Sequence, residues 1–139
     1  MSTRSQRGET VEKQSATKNA KKEKKEKLGY ELRVFIVRGD DHIRESFGIG
    51  VDTLLCRIQE HGSLSAAAKS MGMAYSKAWT ILRKMEKYLG FPLVESAVGR
   101  GRGSKLTSGG EDFINRYEDF IADLRKAADD YFPRHFGDL

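Results

Sequence analysis

From Tyr30 the chain alternates with period two: Leu32, Val34 and Ile36 fall on one face, Arg33, Phe35 and Val37 on the other. That period predicts a strand. RGDDH has the composition of a turn and ESFGIG that of a short returning strand, so residues 30 to 49 are expected to form a hairpin. The period then changes. Val51, Leu54, Leu55 and Ile58 recur at helical spacing up to Gly62, where the helix should stop. Ser63 or Ser65 is placed to cap a short helix through AAAKSM, which Gly72 ends. A longer helix is predicted from Tyr75 to Leu89, with Ala78, Ile81, Leu82, Met85 and Leu89 on its inner face. After Pro92, LVES and KLT flank the tip VGRGRGS as a second, smaller hairpin. A cap at Thr107 or Ser108 then opens a helix over residues 108–132. Its apolar positions Phe113, Tyr117, Phe120, Leu124, Ala127 and Tyr131 are spaced alternately by four and three, a seam of heptad type.

The alanines carry the first functional hint. Three of them, Ala66, Ala67 and Ala68, stand where a helix core usually carries leucines, and Gly72 follows shortly after. Two helices cross steeply in van der Waals contact only if the residues between them are small, and a tight turn between them favours glycine. Ala68, Gly72, Ala78 and Ile81 meet both demands, which is the helix-turn-helix pattern. In that pattern the second helix presents its exposed N-terminal half to the major groove of DNA. The expected fold is mainly α with small β hairpins: a winged helix-turn-helix with a long C-terminal dimerisation helix.

Charge sharpens this reading once it is located. The chain has 139 residues and a net charge of +5, of which residues 1–29 carry nine basic and four acidic side chains. With no hydrophobic periodicity, residues 1–29 are expected to be a disordered basic tail, and residues 30–139 one folded domain. Residues 69–105 hold eight basic and two acidic side chains, whereas residues 111–138 hold four basic and eight acidic. A basic surface in an otherwise acidic body points to a polyanionic partner. A protein-docking face would not need that excess.

Other chemistries find little support. His42, His61 and His135 share no ligand spacing, so no metal is expected. Cys56, the only cysteine, is read as a buried structural thiol. GRGRG does not lead into a helix through GK[ST], so no nucleotide loop is expected. No nucleophile motif stands out, and neither an enzyme nor a cofactor is predicted. No apolar run is long enough to cross a bilayer and no signal peptide precedes the body, so the cytoplasm is the expected compartment.

On the second helix Ser76, Lys77, Thr80 and Lys84 point outward, able to reach base edges or phosphates. Tyr75 opens the helix and suits a phosphate hydrogen bond, while Trp79 is expected to wedge between helices. Ser65, and Arg100, Arg102 and Lys105 of the second hairpin, complete the expected DNA contacts. Phe113, Tyr117, Phe120 and Leu124 form the expected dimerisation seam.

The segment FGIGVDTLLCRIQEHGSLSAAAKSMGMAYSKAWTILRKMEKYLGFPLVE, followed by the glycine-basic tip and KLTSGGEDF, resembles the N-terminal DNA-binding domain of ModE-type molybdate-responsive transcription regulators. The resemblance spans roughly residues 30–131 and is most specific in GSLSAAAKSMGMAYSKAW. The middle section is also similar to the winged-helix head of LysR-type regulators. The hairpin before the first helix and AYSKAW are closer to ModE. The resemblance implies a homodimer that binds operator DNA in sequence-specific fashion, with a regulatory protein as a further class of partner. The alternatives are a winged-helix protein-interaction module and a non-specific nucleic-acid-binding protein. Here the wing tip carries more basic residues than the family's glycine-rich one, and the basic tail is not part of the family pattern. ModE regulators usually continue into an oxyanion-binding domain. With the sequence ending at Leu139, that domain and a response to molybdate are not expected.

Overall fold

The computed structural model describes residues 26–40, 46–97 and 103–139. Its first helix, α1 (Ile49–His61), turns Val51, Leu54, Leu55 and Ile58 inward as their spacing predicts, and all four are buried. Of the two candidate serines, Ser63 is the cap: its Oγ accepts the Ala66 amide at 3.0 Å and opens α2 (Leu64–Ser70). α2 packs against both α1 and α3 (Tyr75–Leu89). At this junction Ala67 is 0% and Ala68 1% exposed, while Ala66 is only partly buried.

The turn out of α2 folds back on that helix. The Gly72 amide donates to Lys69 O at 3.0 Å and the Met73 amide to Ala68 O at 2.9 Å, with Gly72 at φ +65°. This pair of reversed bonds around a left-handed residue satisfies carbonyls that the helix end leaves open. A residue with a Cβ pays a steric penalty in that conformation, so the glycine belongs to the turn.

Beyond α3, the strands β1 (Val94–Ser96) and β2 (Ser104–Leu106) pair antiparallel, with Glu95 opposite Lys105. Their stem is seated on the α1–α2 turn, where the Ser104 amide donates to Gly62 O at 2.9 Å. Gly103 makes that approach feasible, since a Cβ there would run into the Gly62 carbonyl. Thr107 then caps α4 (Ser108–Phe136), its Oγ1 accepting the Gly110 amide at 2.9 Å. At 1.5 Å per residue α4 is about 43 Å long. It runs one turn past the expected end and through Pro133, with an Arg134–Asp130 pair and a Phe132–Phe136 ring contact around the proline.

One prediction is met only in part. Residues 30–37 do alternate between partly buried and exposed positions, and among the described residues the expected hairpin is represented by one antiparallel bridge, in which Ile36 and Phe47 exchange backbone hydrogen bonds at 2.8 and 2.9 Å. α1 begins two residues after Phe47, so no rung can follow on that side of the bridge. The extended N-terminal segment is held by side chains instead. Tyr117 OH donates to Val34 O at 2.9 Å, Tyr30 OH bonds Asp129, and the Tyr30 ring lies 5.3 Å from that of Phe132. Part of the RGDDH turn lies outside the described residues.

Phe47, Leu54, Leu55, Ile58 and Leu93 are the largest wholly buried side chains, so the core sits where α1 meets the base of the hairpin and the start of α4. The Phe47 ring makes edge contacts with Phe113 and Tyr117 at centroid distances of 4.7 and 5.0 Å.

The alanine face gives a direct test. Ala67→Leu is expected to destabilise the fold by about 1–3 kcal/mol through overpacking, and Ala66→Leu by much less. Urea unfolding of the two variants against the parent chain measures the contrast.

Candidate nucleic-acid interface

α3 faces inward through Ala78, Leu82 and Met85, which are buried, and through Ile81 and Leu89, which are partly buried. Its opposite side is open. Ser76, Lys77, Thr80 and Lys84 are exposed together on that side, and Tyr75 at the start of the helix is 54% exposed. Ser65 is exposed on α2. Lys105 is exposed on β2, with its Nζ 3.8 Å from Glu95, a surface pair that holds the lysine only weakly. Arg100 and Arg102 lie outside the described residues.

Trp79 departs from its expected place. It is not wedged between helices but 45% exposed, with the Arg83 guanidinium 5.3 Å from the ring centroid. Residues 75, 79 and 83 recur at i, i+4, i+8, so Tyr75, Trp79 and Arg83 form one ridge beside the buried stripe. An aromatic on the flank of the helix is expected between helices, but position 79 lies one residue past the inward Ala78 and no neighbouring helix among the described residues covers it.

The N-terminus of α3 has no side-chain cap. Ala74 holds the capping position, and the Lys77 and Ala78 amides turn back to its carbonyl, both at 3.1 Å. The first amides of the helix therefore face outward beside Tyr75 and Ser76, an arrangement that favours an anion. At the other end, Arg38 donates to Tyr88 O at 3.1 Å and Leu89 O at 2.8 Å, closing the last turn of α3 with a cation.

Glu86 links this helix to the hairpin. Its side chain is 9% exposed; Oε2 accepts the Leu93 amide at 2.7 Å and the Val94 amide at 3.1 Å, and Oε1 accepts Arg83 at 2.8 Å. One carboxylate thus fixes the root of β1 to the exposed ridge of α3. The sequence pattern ME..LG.PLVE contains this residue, but its partners lie seven and eight positions downstream and only the fold aims it at them.

The seam of α4 divides in two. Tyr117 is 4% exposed and Phe113 is partly buried, both against Phe47, so Tyr117 belongs to the protomer's own core and is not free to meet a second copy. The inward register is Gly110, Ile114 and Tyr117, which leaves Phe120 46% exposed and Tyr131 54% exposed. Ile36, Phe113, Arg116, Tyr117 and Phe120 line a shallow apolar hollow on this side.

A second cluster lies on the far side of α1. Asp52, 5% exposed, and Cys56, partly buried, stand one turn apart on α1 and meet Glu118 of α4; one ligand atom from each lies within 4.8 Å of the others. The Cys56 thiol donates to Glu118 Oε2 at 3.3 Å. Burial, then the hydrogen bond with Glu118, pushes the Asp52 carboxyl up to about 7. Burial, then Glu118 and Asp52, pushes the Cys56 thiol up to about 12. The i, i+4 pair was visible in the sequence, but Glu118 is 62 positions from Cys56 and gave no local signal.

Residues 53–111 match the family described as bacterial regulatory helix-turn-helix protein, lysR family. The chain is 39% identical over 75 residues to the molybdenum-pterin-binding protein MopB of Rhodobacter capsulatus, covering 52% of this chain and 28% of that one. To the transcriptional regulator ModE of Yersinia pestis it is 39% identical over 79 residues, covering 55% and 30%. To the DNA-binding transcriptional dual regulator ModE of Escherichia coli strain K12 it is 36% identical over 80 residues, covering 56% and 30%. The matched stretch thus spans less than a third of each relative. Among solved structures, a complex of the CbnR DNA-binding domain with DNA gives a TM-score of 0.48 at 21% identity, covering 61% of this chain and 94% of that one. Among the described residues, no helix is long and apolar enough to cross a membrane.

Removing the Glu86 carboxylate strands the Leu93 and Val94 amides. Glu86→Ala is expected to cost about 1–3 kcal/mol in urea unfolding, and Glu86→Gln, which keeps one acceptor, distinctly less. Equal stability of the alanine variant and the parent would mean that the hairpin root needs no acceptor.

Proposed function

We infer that this ModE-type winged helix-turn-helix is the operator-binding part of a transcription regulator, with α3 lying in the major groove of double-stranded DNA. The observation that carries the reading is the exposed face of α3, where Ser76, Lys77 and Thr80 stand beside uncapped amides on a helix braced by α2. Lys77 suits guanine O6 and N7, and Ser76 and Thr80 suit either base edges or phosphate. Lys84, Lys105, Arg100 and Arg102 serve the phosphate backbone, with Ser65 and Tyr75 at the margins of the footprint. Trp79 joins them as a stacking surface for a sugar or a thymine methyl. The protein acts in the cytoplasm and not as an enzyme.

Two copies are expected to pair through the outward side of α4. Phe120 and Leu124 are the contacts from the original seam, and the exposed Tyr131 extends them. A two-fold pair would place its recognition helices roughly 34 Å apart, on successive turns of the duplex. A regulatory protein docking on the remaining surface is compatible with this arrangement.

Selection of bound sequences from random duplexes tests the proposal. A single enriched motif with two half-sites is expected. Lys77→Ala should change which sequences are enriched, whereas Lys84→Ala should weaken all of them alike and lower the salt slope by up to about one. Enrichment of no motif would favour the non-specific or protein-docking reading. Sedimentation of Phe120→Lys tests the pairing separately: the parent chain should run as a dimer and the variant as a folded monomer, because association would bury an unpaired ammonium.

A further inference from the structure

Asp52 is the anomaly of the core. It is one of two buried polar or charged residues among the described residues, at 5% exposure, and its Oδ1 has no hydrogen-bond partner among them. A buried carboxylate oxygen without a partner is costly. The neighbours that act on it or on Cys56 add to that cost, because Glu118 and Glu60 are carboxylates as well. The cluster is thus a group of acidic donors from two helices, and none of the contacts described for it brings in a cation of the protein's own.

We propose that Asp52, Cys56 and Glu118 form a binding site for a divalent cation of the zinc class that bridges α1 and α4. The spacing suits it. Asp52 and Cys56 are four residues apart and therefore share one face of α1, and Glu118 reaches them from α4. All three ligand atoms lie within 4.8 Å of one another, and Cys56 Sγ is 3.3 Å from Glu118 Oε2. Tetrahedral zinc, with bonds of about 2.3 Å to sulfur and about 2.0 Å to oxygen, places such a pair about 3.5 Å apart. Asp52 brings to this group a buried carboxyl whose Oδ1 has no hydrogen-bond partner among the described residues. One thiolate with two carboxylates is a mixed set that suits zinc or cobalt and is poor for magnesium or calcium, which take oxygen only. Glu118 is exposed and Cys56 half-buried, so an ion has a way in and a fourth position is open to solvent.

Binding exchanges protons for the ion: the proton of the Cys56 thiol and the proton shared by Asp52 and Glu118 both pass to solvent, so that sulfur binds as thiolate and the two acids as carboxylates. The consequence is mechanical. α1 braces α2 and the hairpin stem, while α4 carries the apolar face, so the ion would fix one to the other. This goes beyond the DNA-binding reading and does not depend on it.

The test uses the full chain stripped with a chelator and titrated with Co²⁺. One cobalt per chain is expected, with a thiolate-to-cobalt charge-transfer band, displaced by Zn²⁺, and with a rise in melting temperature that grows with metal concentration. Cys56→Ser should abolish the band, and Asp52→Asn should weaken binding by about tenfold or more with the helical circular dichroism unchanged. Should Asp52→Asn fail to fold, Glu118→Gln on the exposed side of the site answers the same question. No stoichiometric cobalt, a complex without the band, or undiminished binding by Cys56→Ser would overturn the proposal and leave the three groups as a proton-sharing contact between helices.

Discussion

Close approach at the buried face of α2 is the constraint on which the rest of the molecule depends. Ala67, Ala68 and Ala78 are essentially without exposure, so the helices around them meet with only methyl groups between. A longer side chain there would lift α3 away from α2 and change the angle at which its outer face is presented. The turn has no slack to absorb that shift, because its amides are already committed to Ala68 and Lys69. The placement of α3 in this protein is therefore set by the smallest side chains it has.

The hairpin inherits its position from the same framework. Glu86 holds its first strand to α3, and the Gly62 carbonyl holds its second strand to the α1–α2 turn. The root of the hairpin is thereby fixed relative to both α3 and the α1–α2 turn. Arg83 shares the Glu86 carboxylate and also lies over Trp79, so the hairpin root and the aromatic ridge are electrically and sterically adjacent.

Much of this was legible in the sequence because it rests on local rules. Period 3.6 gave α1 and α3 nearly to the residue, the caps Ser63 and Thr107 were each one of two candidates, and glycine at position 72 marked the turn. What escaped depends on partners distant along the chain. The alternation of residues 30–37 is real, but it cannot say that α1 begins two residues after Phe47 and ends the pairing on that side. A seam spaced by four and three fixes a stripe on α4 without telling which flank of it the core will claim, and Phe47 claimed Tyr117. Helical phase puts Trp79 on a flank of α3, and only the fold shows that no described element covers that flank. Arg38, Glu86 and the Asp52–Cys56–Glu118 group are assembled wholly by tertiary contacts.

The extended segment before α1 gives the molecule a particular folding order. Its anchors are far away: Val34 is held by Tyr117, 83 positions on, Tyr30 by Asp129, 99 positions on, and Arg38 by the end of α3, 51 positions on. None of these partners exists when the segment leaves the ribosome. The three helices of the central unit close mostly local contacts and can form early, but the strap across them must wait for α4 to be synthesised. Until then Ile36 and Phe47 lack the aromatic wall that covers them. The long last helix is thus also the clasp that completes folding, and the first described residues of the chain are among the last to find their place.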